Sequence, residues 1–558
     1  MSGQAAPRAW WRGYRPAWLR GDVIAGLTVW AVLVPESLAY ASIAGVPPVV
    51  GLYAAAPALI LYAAIGSSRH LIVGPMSATA ALSASIVAVY ASSDSGRYVA
   101  LTTALALATG VVAIIAGLFR MGFLANFISA PVLKGFIVGL ALTIIAGQLP
   151  KLFGVDKGEG DFFAEMASLI RQLGDLDRWT LGVGAVSLAL VLGLKRWLPV
   201  VPGSLVAAAV GVLAVVTLGL EDKGVAIVGH IDAGLPSLGP PHGLDLGDYL
   251  ELAGPAVGVV LIGFAEGLGA AKVYAARHGY DISPNRELTG LGAANLGSGL
   301  ASGMVVNGSL SKTAVNGSAG ARTQMSSVVV AVLTIVTLLF LTGLFEQLPE
   351  ATLAAVVIAA VVELVDIGSL RGFFTVYTRR LGAIYGHAAR ADFAAAIAAM
   401  LGVLLFDTLP GLVIGIGISL LLLLYRSSRP NVAVIGRAGD AWVDTARHDG
   451  AETFPGVVVA RVESGLFFAN ADHVRLRLRE LAEGAHAVIV DAETMPFIDV
   501  TGAQMLAELG ARLKADGVTL SIARDIGQVR DVLRRTDTDP AALSVYPTVR
   551  EAVDAARR

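Results

Sequence analysis

From Val23 to the 420s the chain is a succession of apolar runs separated by short polar stretches, and this pattern constrains the fold more than any other feature. A run of about 20 apolar residues crosses the hydrocarbon core of a bilayer as one helix, and a spanning backbone must satisfy its hydrogen bonds internally. The runs fall at 23–44, 49–64, 76–91, 98–118, 129–147, 178–194, 201–219, 251–275, 288–301, 309–320, 325–344, 350–364, 391–406 and 408–427. They predict a polytopic α-helical membrane protein with fourteen segments in two sets of seven. Composition agrees: 55% of the 558 residues are apolar, 15% are charged and the mean hydropathy is +0.70, which leaves too little polar surface for a soluble enzyme of this length. Charge is unevenly spread, with 34 of the 84 charged residues in the last 128. The expected division is therefore 1–21 as a cytoplasmic N-terminus, 22–430 as a transmembrane domain, 431–454 as a linker and 455–558 as a soluble domain.

Cytoplasmic loops retain Lys and Arg. Arg8, Arg12, Arg15 and Arg20 precede the first run, which has no cleavage site at a signal-like distance and reads as a retained helix. With the N-terminus inside, Arg69, Arg120, Lys195, Arg196, Lys272, Arg277, Arg286, Arg322, Arg371, Arg379, Arg380, Arg390, Arg426 and Arg429 fall in inner loops. Outer loops are acidic or mixed, with Asp94, Asp156, Asp161, Glu221, Asp222, Glu346, Glu350 and Asp407. Both termini are expected in the cytoplasm, and the 33 arginines against 8 lysines suit a GC-rich bacterial genome and an inner-membrane location. A net charge of −2 argues against nucleic acid as a partner. The absence of cysteine excludes disulfides, thiolate metal sites and thiol catalysis. The eight histidines, among them His70, His230 and His278, show no ligand spacing, so no metal or cofactor is expected. Lys312-Thr313 after Gly308 lacks the spacing of a phosphate loop, so no ATP motor is expected either.

Two of the runs look broken. The extended stretch Leu71-Ile72-Val73, closed by Gly74-Pro75, leads into the third, and 309–320 is too short to cross alone. Gly74-Pro75-Met76-Ser77-Ala78-Thr79-Ala80 aligns with Gly308-Ser309-Leu310-Ser311-Lys312-Thr313-Ala314, with Gly, Ser, Thr and Ala recurring 234 residues apart, in the third segment of each half. Seven spans per half force the second half to be inverted, and broken helices at matching places in inverted halves point to a transport site near the midplane. A helix N-terminus offers unpaired N–H groups and partial positive charge. Two of them facing each other, with Lys312 in the first turn of one, make an anion site. Ser77, Ser311 and Thr313 could add hydroxyl donors, and Gly74 and Gly308 would let backbone approach closely. The alternative is that Gly and Ser only ease helix packing while Lys312 reaches for the membrane surface. Glu36 lies about 14 residues into the first run and Glu266 about 15 into the eighth, both near the midplane. A carboxyl held away from water favours its neutral form, so either could take up a proton that travels with an anion, or pair with Lys312. Asn295, Asn307 and Asn316 read as helix glue or strand-end partners, and Glu363 and Asp366 as solvated charges.

Together, DVIAGLTVWAVLVPESLAYA from Asp22, GSSRHLIVGP from Gly66, NRELTGLGAAN from Asn285 and GSLSKTAVNGSAGARTQ from Gly308 resemble the sulfate permease (SulP) family of anion transporters over nearly the whole chain. The resemblance implies a seven-plus-seven inverted repeat with core and gate domains and elevator-like alternating access. It implies an anion of the sulfate, bicarbonate or dicarboxylate class held by Met76, Ser77 and Ala78 on one side and Leu310, Ser311 and Lys312 on the other. Glu36, Tyr40 and Glu266 would lie beside it on the first and eighth helices. It also implies a homodimer. Two departures stand out: Pro35-Glu36 where Pro-Gln is frequent, and Lys312 where Arg is frequent. An Arg fork grips oxyanions bidentately and Lys acts as a point charge. Glu266, where sodium-coupled relatives carry Asp, favours proton coupling, with sodium coupling, uncoupled exchange or a channel as alternatives. Alternating strand and helix signals after Gly456, with a strand from Val518 to Ala523 and helices from there to the end, predict an α/β domain resembling a STAS domain, with Asp499-Val500-Thr501-Gly502 at the place of the phosphorylation loop. Thr501 is there either a phosphosite or a helix N-cap, the domain would take a cytoplasmic regulator, and a membrane-tethered regulator without transport is a further alternative.

Overall fold

The computed structural model describes every residue except 1–9, 12–13, 92–94, 127–128, 159, 199–200, 376–390, 407 and 536–542. Of the charges used for topology, Arg8, Arg12, Asp94, Arg379, Arg380, Arg390 and Asp407 lie outside the described residues, as does the side chain of Glu363. The chain divides into two compact units, Met1–Ser419 and Leu420–Arg558.

The first unit is helical. Its first half holds α1 (Leu19–Ile43), α2 (Val49–Ile65), the short strand β1 (Ile72–Gly74), α3 (Ser77–Tyr90), α4 (Ser95–Leu118), α5 (Ala130–Phe153), a short helix α6 (Phe162–Arg171), α7 (Arg178–Trp197) and α8 (Gly203–Leu218). The second half holds α9 (Leu246–His278), α10 (Pro284–Leu300), β2 (Asn307–Ser309), α11 (Leu310–Ser318), α12 (Met325–Val336), α13 (Glu350–Val361), α14 (Ile367–Thr375), α15 (Ala391–Phe406) and α16 (Thr408–Ser428), whose end from Leu420 onward falls in the second unit. All fourteen apolar runs are helices, and α6 and α14 are additions between them. An inverted repeat requires that each packing pair has a counterpart seven spans away. The pairs obey this: α1 with α12 matches α9 with α4, α2 with α12 matches α10 with α4, and α5 with α15 matches α13 with α7. The pairs sort into a core of α1–α4 with α9–α12 and a gate of α5, α7, α8, α13 and α15, and α16 joins the gate where Gly411 lies against Val403 and Gly415 against Val132. The symmetry is incomplete, however. Whereas α1 packs on α8, an apolar crevice of about 390 Å³, lined by Gly254, Gly258, Leu261, Leu409 and Leu412, separates parts of the counterparts α9 and α16.

The second unit is an α/β domain with β3 (Val432–Ala438), β4 (Ala441–Asp444), β5 (Val457–Val462), α17 (Ala471–Ala482), β6 (Ala487–Asp491), α18 (Val500–Ala515), β7 (Thr519–Ala523), α19 (Gly527–Arg535), β8 (Ser544–Tyr546) and α20 (Val549–Ala556). The sheet order is β4-β3-β5-β6-β7-β8, parallel from β5 to β8 and antiparallel at β3 and β4. Both faces of β6 are covered, by α17 and α18 through Val474, Leu478, Val488, Val490 and Leu506, and by α20 through Ile489, Val549 and Val553. This is why β6 reads as an unbroken apolar run. Two expectations need correction. The stretch 431–454, read as a linker, supplies β3 and β4, which shield the edge of β5. The tail, read as helical to its end, includes the parallel strand β8.

Candidate anion site at the paired half-helices

The strands β1 and β2 cross in the core as an antiparallel pair, with Ile72 opposite Ser309, Val73 opposite Gly308 and Gly74 opposite Asn307. A bare strand edge away from water is costly, and side chains close this one. Thr313 Oγ1 accepts from the Ile72 amide at 3.1 Å, and Asn316 Nδ2 donates to the His70 carbonyl at 2.9 Å. Gln324 Nε2 donates to the Ser68 and Leu71 carbonyls at 3.0 and 2.9 Å, while Asn295 accepts from the Val306 amide and donates to its carbonyl, both at 3.0 Å. Gly308 is glycine because a Cβ there would stand 2.9 Å from the Leu71 side chain and 3.0 Å from the Gly267 backbone.

Each strand feeds a helix N-terminus. Met76 is extended (φ −139°, ψ 149°), and among the described residues no side chain caps α3, whose first residues Ser77 and Ala78 are buried. Ser309 caps α11 by accepting from the Lys312 amide at 3.2 Å. Leu310 and Ser311 in its first turn are exposed, while Lys312 is only 1% exposed. The Lys312 ammonium lies 2.8 Å from Glu36 Oε2, donates to the Pro75 carbonyl at 3.1 Å and stands 4.9 Å above the Tyr40 ring. Tyr40 Oη donates to Glu36 Oε2 at 3.3 Å, one helical turn along α1. Lys312 thus ties α1, the start of α3 and the start of α11 together, and Glu36 balances its charge.

A cavity of about 260 Å³ reaches Glu36, lined by Thr28, Glu36 and Ser311 of the core and by Lys195, Ser204 and Val356 of the gate. A second cavity, of about 630 Å³, is lined at the other end of α1 by Ser42 and Ser85 with Tyr98, Gln148 and Lys151. Along α1, Thr28 and Glu36 line the first cavity and Ser42, further toward the helix end, lines the second.

The geometry decides several of the alternatives left open by the residues alone. Glu36, not Glu266, is the partner of Lys312, and Lys312 points inward instead of toward the membrane surface. Glu266 is half-buried and receives a hydrogen bond from Asn307 Nδ2 at 3.5 Å. The Thr313 hydroxyl, expected to face the anion, instead donates to the Ser309 carbonyl. Among the described residues Gly74 has only the tip of Leu33 within reach of a Cβ, at 3.6 Å, so no close approach among them demands it. The Asp366 side chain reaches solvent, as expected, and is also held at 2.8 Å by Lys134; that hydrogen bond with those from Ser369 keeps its carboxyl well below the usual carboxylate range. Thr501 is not the cap of α18: Asp499 accepts from the Gly502 amide at 2.8 Å, and Thr501 is exposed in the first turn.

Two buried acids went unremarked in the sequence. Asp22 accepts from the Arg322 and Thr323 amides and the Thr323 hydroxyl ahead of α12. Glu287 accepts from the Tyr62 and Ser67 hydroxyls and the Ser67 and Ser68 amides. Both brace the turns on either side of the crossing strands. Their signal was an acid at the head of an apolar run, with a hydroxyl partner far away in the chain, Thr323 for Asp22 and Ser67 for Glu287.

The residues 19–384 match the sulfate permease family and 450–552 match the STAS domain. "Probable sulfate transporter Rv1739c" of Mycobacterium tuberculosis is 36% identical over 530 residues, covering 94% of this chain and 92% of that protein. "Sulfate transporter 1.3" of Arabidopsis thaliana is 30% identical over 548 residues, covering 92% and 81%. The murine Solute Carrier 26 family member A9 anion transporter, solved in its inward-facing state, superposes with a TM-score of 0.87 at 20% identity, over 98% of this chain and 92% of that one. The transmembrane domain of the cyanobacterial bicarbonate transporter BicA superposes at 0.60 with 22% identity, over 70% and 97%. Built on that fold and matched along nearly its whole length, the chain belongs to the sulfate permease family of anion transporters.

Proposed function

We propose that this protein carries a small oxyanion of the sulfate class across the cytoplasmic membrane together with protons, and that Glu36 is the proton site. The observation that carries the reading is the buried ion pair between Lys312 and Glu36. An incoming anion and the Glu36 carboxylate compete for one ammonium. A proton on Glu36 removes the competitor and releases the lysine charge to the anion, so proton uptake and anion uptake are one event. The amides at the heads of α3 and α11 then supply the remaining donors. Lys312 as a point charge places little demand on anion shape, which fits sulfate, bicarbonate and dicarboxylates alike.

Alternating access follows from movement of the core past the gate. The closed contact of α1 with α8 against the open crevice between α9 and α16 supports this reading, because a core shift that opens one exchanges it for the other. The cavity at Glu36 includes Lys195, on the side to which the Lys and Arg distribution assigns the cytoplasm, and both termini belong on that side. The protein works as a homodimer by this reading, and a cytoplasmic regulator acts through the STAS domain. The exposed Thr501, at a helix N-terminus that favours an added phosphate, is its target.

Uptake of labelled sulfate into proteoliposomes tests the coupling. An inward proton gradient should raise the rate, and Glu36→Gln should transport without responding to that gradient. A rate indifferent to protons in the unmodified protein would reject symport, and stimulation by sodium instead would move coupling to the neighbourhood of Glu266.

A further inference from the structure

In the C-terminal unit, two neighbouring loops and the first residue of α18 carry large apolar side chains into solvent. Phe468 is 73% exposed, Val500 56% and Phe497 41%. The loops are joined: Leu466 bridges to Ile498, Asp499 accepts from the Phe468 amide at 2.9 Å, and the Phe467 ring lies 5.7 Å from Phe468 and 5.9 Å from Phe497. Phe497 lies over Gly465, where a Cβ would stand 2.4 Å from the ring. The tip is therefore built and held, with its apolar side left uncovered by the described residues of the domain.

One residue fixes where this tip stands. Asn470 accepts from the Phe467 amide at 3.0 Å and donates to the Gly465 carbonyl at 2.9 Å and to the Ser427 carbonyl at 3.3 Å. Ser427 belongs to the last turn of α16, the final membrane span. Beside it are the half-exposed Tyr425, with the Arg429 guanidinium 4.9 Å over its ring, and Arg426. An aromatic ring with arginines at the end of an apolar helix marks the level of the lipid headgroups, a zone about 5–8 Å deep on each face of the bilayer. The loop bearing Phe468 is hydrogen-bonded to backbone at that level.

We propose that the tip formed by Phe468, Phe497 and Val500 is a membrane-contacting surface, seated among lipid headgroups beside the end of α16, with Arg426 and Arg429 facing lipid phosphates. The bilayer suits this surface because exposed aromatic and aliphatic side chains flanked by cations favour the headgroup boundary. It rests on α16 spanning the membrane and is independent of which anion is carried.

The chain has no cysteine, so a single introduced one reports alone. Full-length Phe468→Cys and, separately, Val500→Cys would be labelled with the fluorophore NBD and reconstituted in vesicles of phosphatidylcholine and phosphatidylglycerol. Asp516→Cys, at the opposite end of the 16-residue α18 and so about 24 Å from Val500, is the control. Headgroup-nitroxide lipids should quench positions 468 and 500 at least about twofold more than position 516, as for apolar side chains seated at the boundary. Blue-shifted emission without lipid quenching would mean that protein covers the tip, and quenching no greater than the control would mean that water does. Either outcome overturns the proposal, and the two labelled positions guard against damage by one substitution.

Discussion

Lys312 and Glu36 neutralise each other inside the core, so each substitution there has two effects that can be separated. Removing one partner leaves the other as an uncompensated buried charge, worth about 3–5 kcal/mol. Lys312→Ala should therefore lower thermal stability and abolish sulfate binding together. Lys312→Met with Glu36→Gln should recover the stability but not the binding. Thermal unfolding in detergent with and without sulfate measures both. Normal sulfate stabilisation of the double variant would remove Lys312 from the binding site. Both charges were conspicuous in the sequence because few charges interrupt an apolar span. Their pairing was not legible, since α1 and α11 belong to different halves and any of several acids could have met the lysine. Only packing brings Glu36 to 2.8 Å and leaves Glu266 with an amide partner.

Among the elements, the crossing strands carry the sharpest contrast between two glycines that looked alike. Gly308→Val would press branched carbons against the Leu71 side chain and the Gly267 backbone, and overpacking of this kind costs about 1–3 kcal/mol. Transport should be lost. Gly74→Ala meets only Leu33 and should transport at close to the normal rate, measured by the same uptake assay. Asn316→Ala leaves the His70 carbonyl without its donor and should cost about 1–3 kcal/mol, read as a lowered unfolding temperature. The spans themselves were legible, because a bilayer demands long apolar runs, and the matching GPMSATA and GSLSKTA segments located the broken helices. The strand register and its side-chain seal were not, since three residues are too few to show an alternation. The same brevity hid β8, and the β3–β4 hairpin, whose second strand has only four residues, passed for a linker.

For the whole molecule, the place of β3 and β4 sets where the soluble domain begins. A fragment from residue 430 to the C-terminus keeps the hairpin that covers β5 and should unfold in one cooperative transition in urea, followed by circular dichroism. A fragment from residue 455 leaves that edge bare and should be less stable or aggregate. Equal stability of the two would show that the hairpin is peripheral to the domain.

The crossing of β1 and β2 also bears on how the chain is made. The Pro75 carbonyl and the Ile72 amide find their partners in α11, with Pro75 and Lys312 separated by 237 residues. At about 5–20 residues per second that interval lasts some 10–50 s, during which the first seven spans have emerged and their central strand has nothing to lie against. The first half is thus left unfinished inside the membrane until α11 arrives. Interruption of synthesis between α8 and α11 should yield a product that quality control removes, while a chain halted after α16 would already own a complete carrier body.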